Sequence, residues 1–251
     1  MAGLKNVVSW LDEQLAFQGE DDSCNGLQFQ GKANVRKVAF AVDACQQSFE
    51  QAVAEKADLL VVHHGLFWKK RLPTALKGEW KNRLKTLFDN DLSLYASHLP
   101  LDAHPRFGNN AELARLLGLR KTQRFAEYHG FSIGLKGVLP KSMTFKDFKW
   151  LVKEKVGFAN SIEGASQAVR SVGVSSGGSA FCVPQAREQG LDAVVIGEFT
   201  HSSFHSLKES GVDVIAAGHY ATETLGVKAL AKAVAGKFGV ETSFANAPTG
   251  L

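Results

Sequence analysis

The stretch Leu59–Gly65, "LLVVHHG", sets four aliphatic residues directly before two adjacent histidines and a glycine. Successive side chains of a strand point to opposite faces, so a run that is apolar at every position suits a strand buried on both sides. Similar runs recur at Val35–Val42, Leu92–Ser97, Phe131–Val138, Val169–Ser175, Ala193–Ile196 and Val212–Ala217. Helical patterns lie between most of them, at Gln46–Glu55, Trp80–Asn90, Asn110–Leu117, Phe145–Glu154, Cys182–Gln189, His201–Glu209 and Thr222–Val234. Strands alternating with helices predict an α/β fold with mixed, largely parallel sheets covered on both faces.

The pattern also repeats. "VRKVAFAVD" from Val35 lies over "VRSVGVSSG" from Val169, and the same offset sets Asp58 on Asp192 and Val61 on Val195. "ADLLVVHHG" then falls on "LDAVVIGEF", so His63 meets Gly197 and His64 meets Glu198. After one shift of 13 residues, "LYASHLPLD" falls on "IAAGHYATE", pairing His98 with His219 and Asp102 with Glu223. We expect two related three-layer α/β halves, residues 1–125 and 126–251, with 126–168 as a connecting strand and helix. The functional site is expected between them, at the carboxyl ends of the strands.

Composition bounds the function classes. The 251 residues are 45% hydrophobic and 22% charged, as in an ordinary folded protein. No apolar run approaches the roughly 18 residues that cross a bilayer. The start, "MAGLKNVVSWLDEQL", reads as an amphipathic helix rather than a signal peptide. Cys24, Cys45 and Cys182 form no CxxC pair and suit free thiols in a reducing cytoplasm. The net charge of +4 is spread out, with "FWKKR" as the densest cluster, and reads as a solvated surface rather than a nucleic-acid face.

Three apolar strands each deliver an imidazole at their carboxyl end: His63-His64, His98 and His219. Two of them add a carboxylate four residues later, Asp102 and Glu223. Imidazole and carboxylate together suit borderline divalent metals without a thiolate. His219 and Glu223 can project from one face of a first helical turn. Pro100 disfavours helix in the residue before it, so "HLPLD" is expected to be an extended loop carrying Asp102 inward. His63 and His64 diverge if the strand continues; they share one ion only if the chain turns at Gly65, and otherwise serve two. "SSGGSA" (Ser175–Ala180) reads as a tight strand-to-helix turn or as an anion cradle. In "DSCNG", Asn25 marks a turn or lines a cavity.

"DSCNGLQFQG", "VVHHGLFW", "ASHLPLDAHPRFGNNAELA", "GEFTH" and "AAGHYATETLGVKAL" together resemble the dinuclear-metal Nif-three-like family, commonly labelled GTP cyclohydrolase 1 type 2 homologues, in its short bacterial-sized form. The resemblance runs from about residue 4 to residue 240. It implies two divalent ions (iron, zinc or manganese) held by His63, His64, Asp102, His219 and Glu223, and a toroidal homohexamer. Five side chains leave coordination positions open, and two divalent ions outweigh two carboxylates, so a small anionic substrate is expected. The concrete expectation is a metal-dependent hydrolase of a nucleotide- or pterin-like substrate, opening the purine ring of GTP with a metal-bridged hydroxide. Glu198 is a candidate general base or an orienting residue, against the plainer reading of a surface salt bridge. His98 is a candidate donor to a ligand. The competing classes are a metal storage or delivery protein without turnover and a ring-shaped scaffold. The sequence shows no aromatic stacking surface that would favour the scaffold.

Overall fold

The computed structural model describes residues 1–250. In chain order the first elements are β1 (Ala2–Gly3), α1 (Leu4–Gln14), β2 (Gly26–Phe29), β3 (Asn34–Val35), β4 (Lys37–Asp43), α2 (Gln46–Ala54), β5 (Leu59–His64), α3 (Glu79–Asn90), β6 (Ser93–Ala96) and α4 (Leu99–Asp102). There follow α5 (Asn109–Leu116), β7 (Arg120–Tyr128), β8 (Phe131–Met143), α6 (Phe145–Val156), β9 (Asn160–Ile162), β10 (Val169–Ser175), α7 (Cys182–Glu188) and β11 (Ala193–Ile196). A 3-10 turn (His201–Ser203), α8 (Phe204–Glu209), β12 (Asp213–Ala216), α9 (His219–Phe238) and β13 (Glu241–Phe244) complete the chain. Met1–Leu101 with Val227–Ala247 form one compact unit, and Asp102–Gly226 with the residues from Pro248 on form the other.

The first unit carries a five-stranded sheet in the order β13-β4-β5-β6-β2, parallel except at its β6–β2 edge. One face explains the apolar run of β5: Leu60 and Val62 pack with Ala39, Ala41, Leu94 and Ala96 against Phe49 and Ala52 of α2 and Leu87 of α3. Phe49 is fully buried, so Phe49→Ala would cost about 3–5 kcal/mol. The second unit carries a six-stranded sheet, β7-β8-β10-β11-β12-β9, with a parallel centre flanked by antiparallel pairs. Val172, Val174, Val195 and Ile215 pack there with Leu113 of α5 and with Phe148 and Val152 of α6. The sheets are therefore mixed and largely parallel, as the strand pattern predicts.

The repeat is visible in hydrogen bonds. Asp58 Oδ2 accepts from the backbone N–H groups of Arg36 and Lys37 at 2.9 and 3.4 Å. Asp192 Oδ2 accepts from those of Arg170 and Ser171 at 2.9 and 2.7 Å. Each acid thus ties the start of one strand to the start of its neighbour. The turns after α2 and α7 match as well, with left-handed Lys56 (φ 57°) and Gly190 (φ 64°).

Two expectations need correction. The register pairs Leu59 with Ser93 and Ala193 with Asp213, so His98 corresponds to Gly218, one residue short of His219. "HLPLD" is not extended either: Leu99–Asp102 form a helical turn. Pro100 is tolerated because it lies in the first turn, where its missing N–H has no intrahelical partner to lose.

Candidate metal centre

In the first unit, β5 delivers His63 and His64 to the carboxyl edge of the sheet, and Gly65 turns the chain. A Cβ at Gly65 would lie only 2.6 Å from Ala96 Cβ, so no larger residue fits. Residue 98 enters from the end of β6. The imidazole centroids are 4.6 Å apart for His63–His64, 5.1 Å for His63–His98 and 5.5 Å for His64–His98. One ligand nitrogen from each of the three lies within 4.8 Å of the others. The two adjacent histidines therefore do not diverge to opposite faces; they meet, with His98 as a third member.

All three rings are held from behind through Nδ1. His63 Nδ1 lies 3.1 Å from the Ser97 carbonyl oxygen, His64 Nδ1 2.8 Å from Asp43 Oδ1, and His98 Nδ1 2.9 Å from Asp21 Oδ1. These oxygens are acceptors, which assigns the proton of the neutral ring to Nδ1 and the lone pair to Nε2. Asp21 also accepts from Ser23 N, Leu99 N and Asn25 Nδ2, while Asn25 Oδ1 accepts from His98 N. The "DSCNG" turn thus clamps the start of α4. Burial would push the Asp21 carboxyl up, but His98, Asn25 and Ser23 N more than offset it and hold it below the usual carboxylate range.

In the second unit Asp102 is buried, and its Oδ1 accepts from Asn109 Nδ2 at 2.9 Å and Ser176 Oγ at 2.8 Å. Asn109 Oδ1 in turn accepts from Gly226 N, and Asn110 Oδ1 from Ser176 N. His219 opens α9 between two carboxylates: Nδ1 is 3.0 Å from Glu198 Oε1, and Nε2 is 3.1 Å from Glu223 Oε1, one turn along the same helix. Burial alone would lower its pKa, but hydrogen bonds and charge from Glu223 and then Glu198 raise it to about 9. A field that holds a proton so firmly favours any cation placed there. "SSGGSA" is a tight turn whose Gly177 carbonyl accepts from Gly197 N and Glu198 N at 2.9 and 3.1 Å.

The donors within each unit, imidazole nitrogens in the first and imidazole nitrogen with carboxylate oxygens in the second, are oriented by outer hydrogen bonds and are of the types that suit a borderline divalent ion. The family model for Duf34/NIF3 (NGG1p interacting factor 3) matches residues 2–249. The chain belongs to the Duf34/NIF3 family. It is 43% identical over 251 residues to a GTP cyclohydrolase 1 type 2 homolog of Deinococcus radiodurans, spanning 99% of this chain and 95% of that one. It is 43% identical over 250 residues to a protein of the same name from Pyrococcus abyssi, spanning 98% and 99%. The crystal structure of TTHA1606 from Thermus thermophilus matches with a TM-score of 0.90 and 41% identity over 100% of both chains. Among the described residues, no helix of this Duf34/NIF3 chain is long and apolar enough to cross a membrane.

Sequence reasoning passed over the residues that hold the donors. Asp43 ends β4 beside β5, so the strand-end rule that singled out the histidines also reaches it. Asn109 and Asn110 had a signal too: two consecutive asparagines at a helix start, both buried, which polar side chains accept only when hydrogen-bonded. Trp68 also went unassigned. Its ring centroid lies 5.1 Å from that of His98 and 6.1 Å from that of His64.

Proposed function

We propose that this Duf34/NIF3 chain is a metal-dependent hydrolase of a nucleotide- or pterin-like substrate, of the GTP cyclohydrolase type. One observation carries the reading: His63, His64, His98 and His219 all place Nδ1 against an oxygen acceptor. Outer hydrogen bonds of this kind fix metal-binding imidazoles in the Nε2-ligating tautomer. In this reading His63, His64, Asp102, His219 and Glu223 hold two divalent ions (iron, zinc or manganese), and His98 joins them through its place in the imidazole trio. The ions, when bound, supply an acidified water and a positive centre for an anionic substrate. Asp43, Asp21 and the Ser97 carbonyl fix the rings, Asn109 and Ser176 aim Asp102, and Glu198 holds His219. Glu198 is also far more exposed than Glu223, at 39% against 4% of the side chain, and takes the general-base role.

The test is elemental analysis of natively purified protein, followed by incubation of the metal-loaded chain with GTP and other phosphorylated or cyclic-amide compounds. Glu198→Gln should keep its metal and lose ring-opened product by mass spectrometry. Two retained ions with no product anywhere in the panel would favour storage or delivery, and metal-free protein would overturn both readings. The same reading includes a cytoplasmic toroidal homohexamer, supported by the family resemblance and checked by sedimentation velocity.

A further inference from the structure

We infer that Trp68 is the stacking platform for the planar heteroaromatic ring of a ligand seated beside His64 and His98, with Lys69 and Arg71, next in the chain, supplying positive charge for phosphates attached to that ring. The substrate class rests on the hydrolase reading; the platform rests on what surrounds the indole. The loop after β5 folds back on the "DSCNG" segment, through a Ser23–Trp68 bridge, Cys24 N to the Phe67 carbonyl at 3.1 Å, and Lys69 N to the Asp22 carbonyl at 2.8 Å. The indole N–H donates to the Gly65 carbonyl at 2.9 Å, so the one polar group of the ring is satisfied by the turn that positions the histidines. What remains to offer a ligand is an apolar π surface.

That surface is not part of the apolar cluster of the first sheet. The neighbouring Phe67 packs against the apolar cluster of the first sheet and lies 5.7 Å from the Trp80 ring. Trp68 is absent from that cluster. It stays half-buried, edge-on to His98 at 68° and tilted 40° to His64. A large aromatic side chain is normally placed to bury its faces. One left beside two imidazoles, at a sheet's carboxyl edge, has the form of a stacking surface for a base-like ring. The residues that follow add charge. Lys69 Nζ is held by the Asp21 carbonyl oxygen at 2.6 Å, a contact that leaves its positive charge uncancelled, and Arg71 is exposed.

The experiment is a fluorescence titration of the metal-loaded full chain with guanosine, GTP and inorganic tripolyphosphate, with metal content measured for every variant. We expect guanosine and GTP to bind and to quench indole emission. Trp68→Leu should raise Kd for both by about 5- to 100-fold with metal content unchanged, the range typical of a lost base–aromatic stack. Trp68→Phe should bind within a few-fold of wild type while the quenching disappears. Arg71→Ala should weaken GTP and leave guanosine unaffected. Unchanged Kd in Trp68→Leu overturns the inference, as does equal affinity of wild type for GTP and tripolyphosphate, which would mean that the ring contributes nothing. If Trp68→Leu loses metal, Trp68→Phe decides: metal retained with binding lost rejects stacking. Guanosine binding without hydrolysis of any compound leaves the platform standing and removes the hydrolase. Hydrolysis of a non-aromatic substrate with no guanosine or GTP binding does the reverse.

Discussion

Gly177→Ala perturbs the centre without removing a donor. Gly177 has φ +66°, and a methyl group there would overlap Glu223 Oε1 and come within 3.3 Å of His219 Nε2. The left-handed backbone costs alanine about 1 kcal/mol. The turn itself cannot move aside, because its carbonyl accepts from both Gly197 N and Glu198 N, and Thr222 Oγ1 accepts from its N–H. The Glu223 carboxylate must therefore give way, by roughly an ångström to restore ordinary contact. Misplacing one oriented ligand on that scale typically costs about 10- to 100-fold in metal affinity. Chelator competition should show that loss, while thermal unfolding of the metal-stripped protein falls only by about 2–4 °C. Gly118→Ala supplies the control: its φ is +71°, and its Cβ would meet nothing within 4 Å. It should lower Tm similarly and leave metal affinity untouched. If both variants lose stability alike and neither loses metal, Glu223 and His219 are not ligands.

Asp43→Ala should keep its fold, since Asp43 is half-exposed and mainly buttresses His64. It should nonetheless lower metal retention about 10- to 100-fold by elemental analysis; full retention would show that His64 needs no buttress. Asp58 is buried, which would raise its pKa, but Arg36 N, Lys32 and Lys37 N outweigh burial and hold it down. Its folded pKa therefore lies below the unfolded value, so its contribution is complete above about pH 4 and is lost as pH falls through the folded value. Asp58→Ala should lose about 2–3 kcal/mol at neutral pH and show a smaller drop in Tm on acidification than wild type; an equal drop would refute the linkage.

The strands that form the centre of each sheet were legible because they are buried on both faces, and burial on both faces forces an unbroken apolar run. β7 was not, for the opposite reason: "RKTQRFAEY" is an edge strand with only Phe125 and Ala126 buried, so neither a continuous run nor a clean alternation marks it. β13, "ETSF", is four residues at the other sheet's edge, paired to β4 alone. The candidate donors were picked out from the histidines that follow strands and the acids four residues beyond them. Their supports were not, because the bonds from Asp21 to His98 and from Ser176 to Asp102 join positions 77 and 74 residues apart. Nothing local in the sequence encodes such a pairing. The indole of Trp68 escaped notice for a related reason. "LFW" reads as more apolar run, and only the folded loop separates the core-facing Phe67 from the half-exposed Trp68.

The one-residue slip in the repeat has its own physical sense. His64 and Glu198 occupy equivalent strand ends, and each is one half of an imidazole–carboxylate pair with the roles exchanged: His64 bonds Asp43, and Glu198 bonds His219. At the offset that superposes Asp58 on Asp192, Asp43 falls on Gly177. The second unit thus lacks a side chain where the first has its carboxylate, and Glu223 lies over that gap, delivered from α9. Glu223 meets an imidazole of its own helix, His219 Nε2 at 3.1 Å, one turn away on the same face. His219 is the first residue of a 20-residue helix, whereas His98 directly precedes a four-residue turn. Each strand end carries one member of a hydrogen-bonded imidazole–carboxylate pair, the imidazole His64 in the first unit and the carboxylate Glu198 in the second. Matching identical residues between the two halves therefore finds only a weak repeat, because the pair at each strand end draws its second member from a different element, β4 in the first unit and α9 in the second.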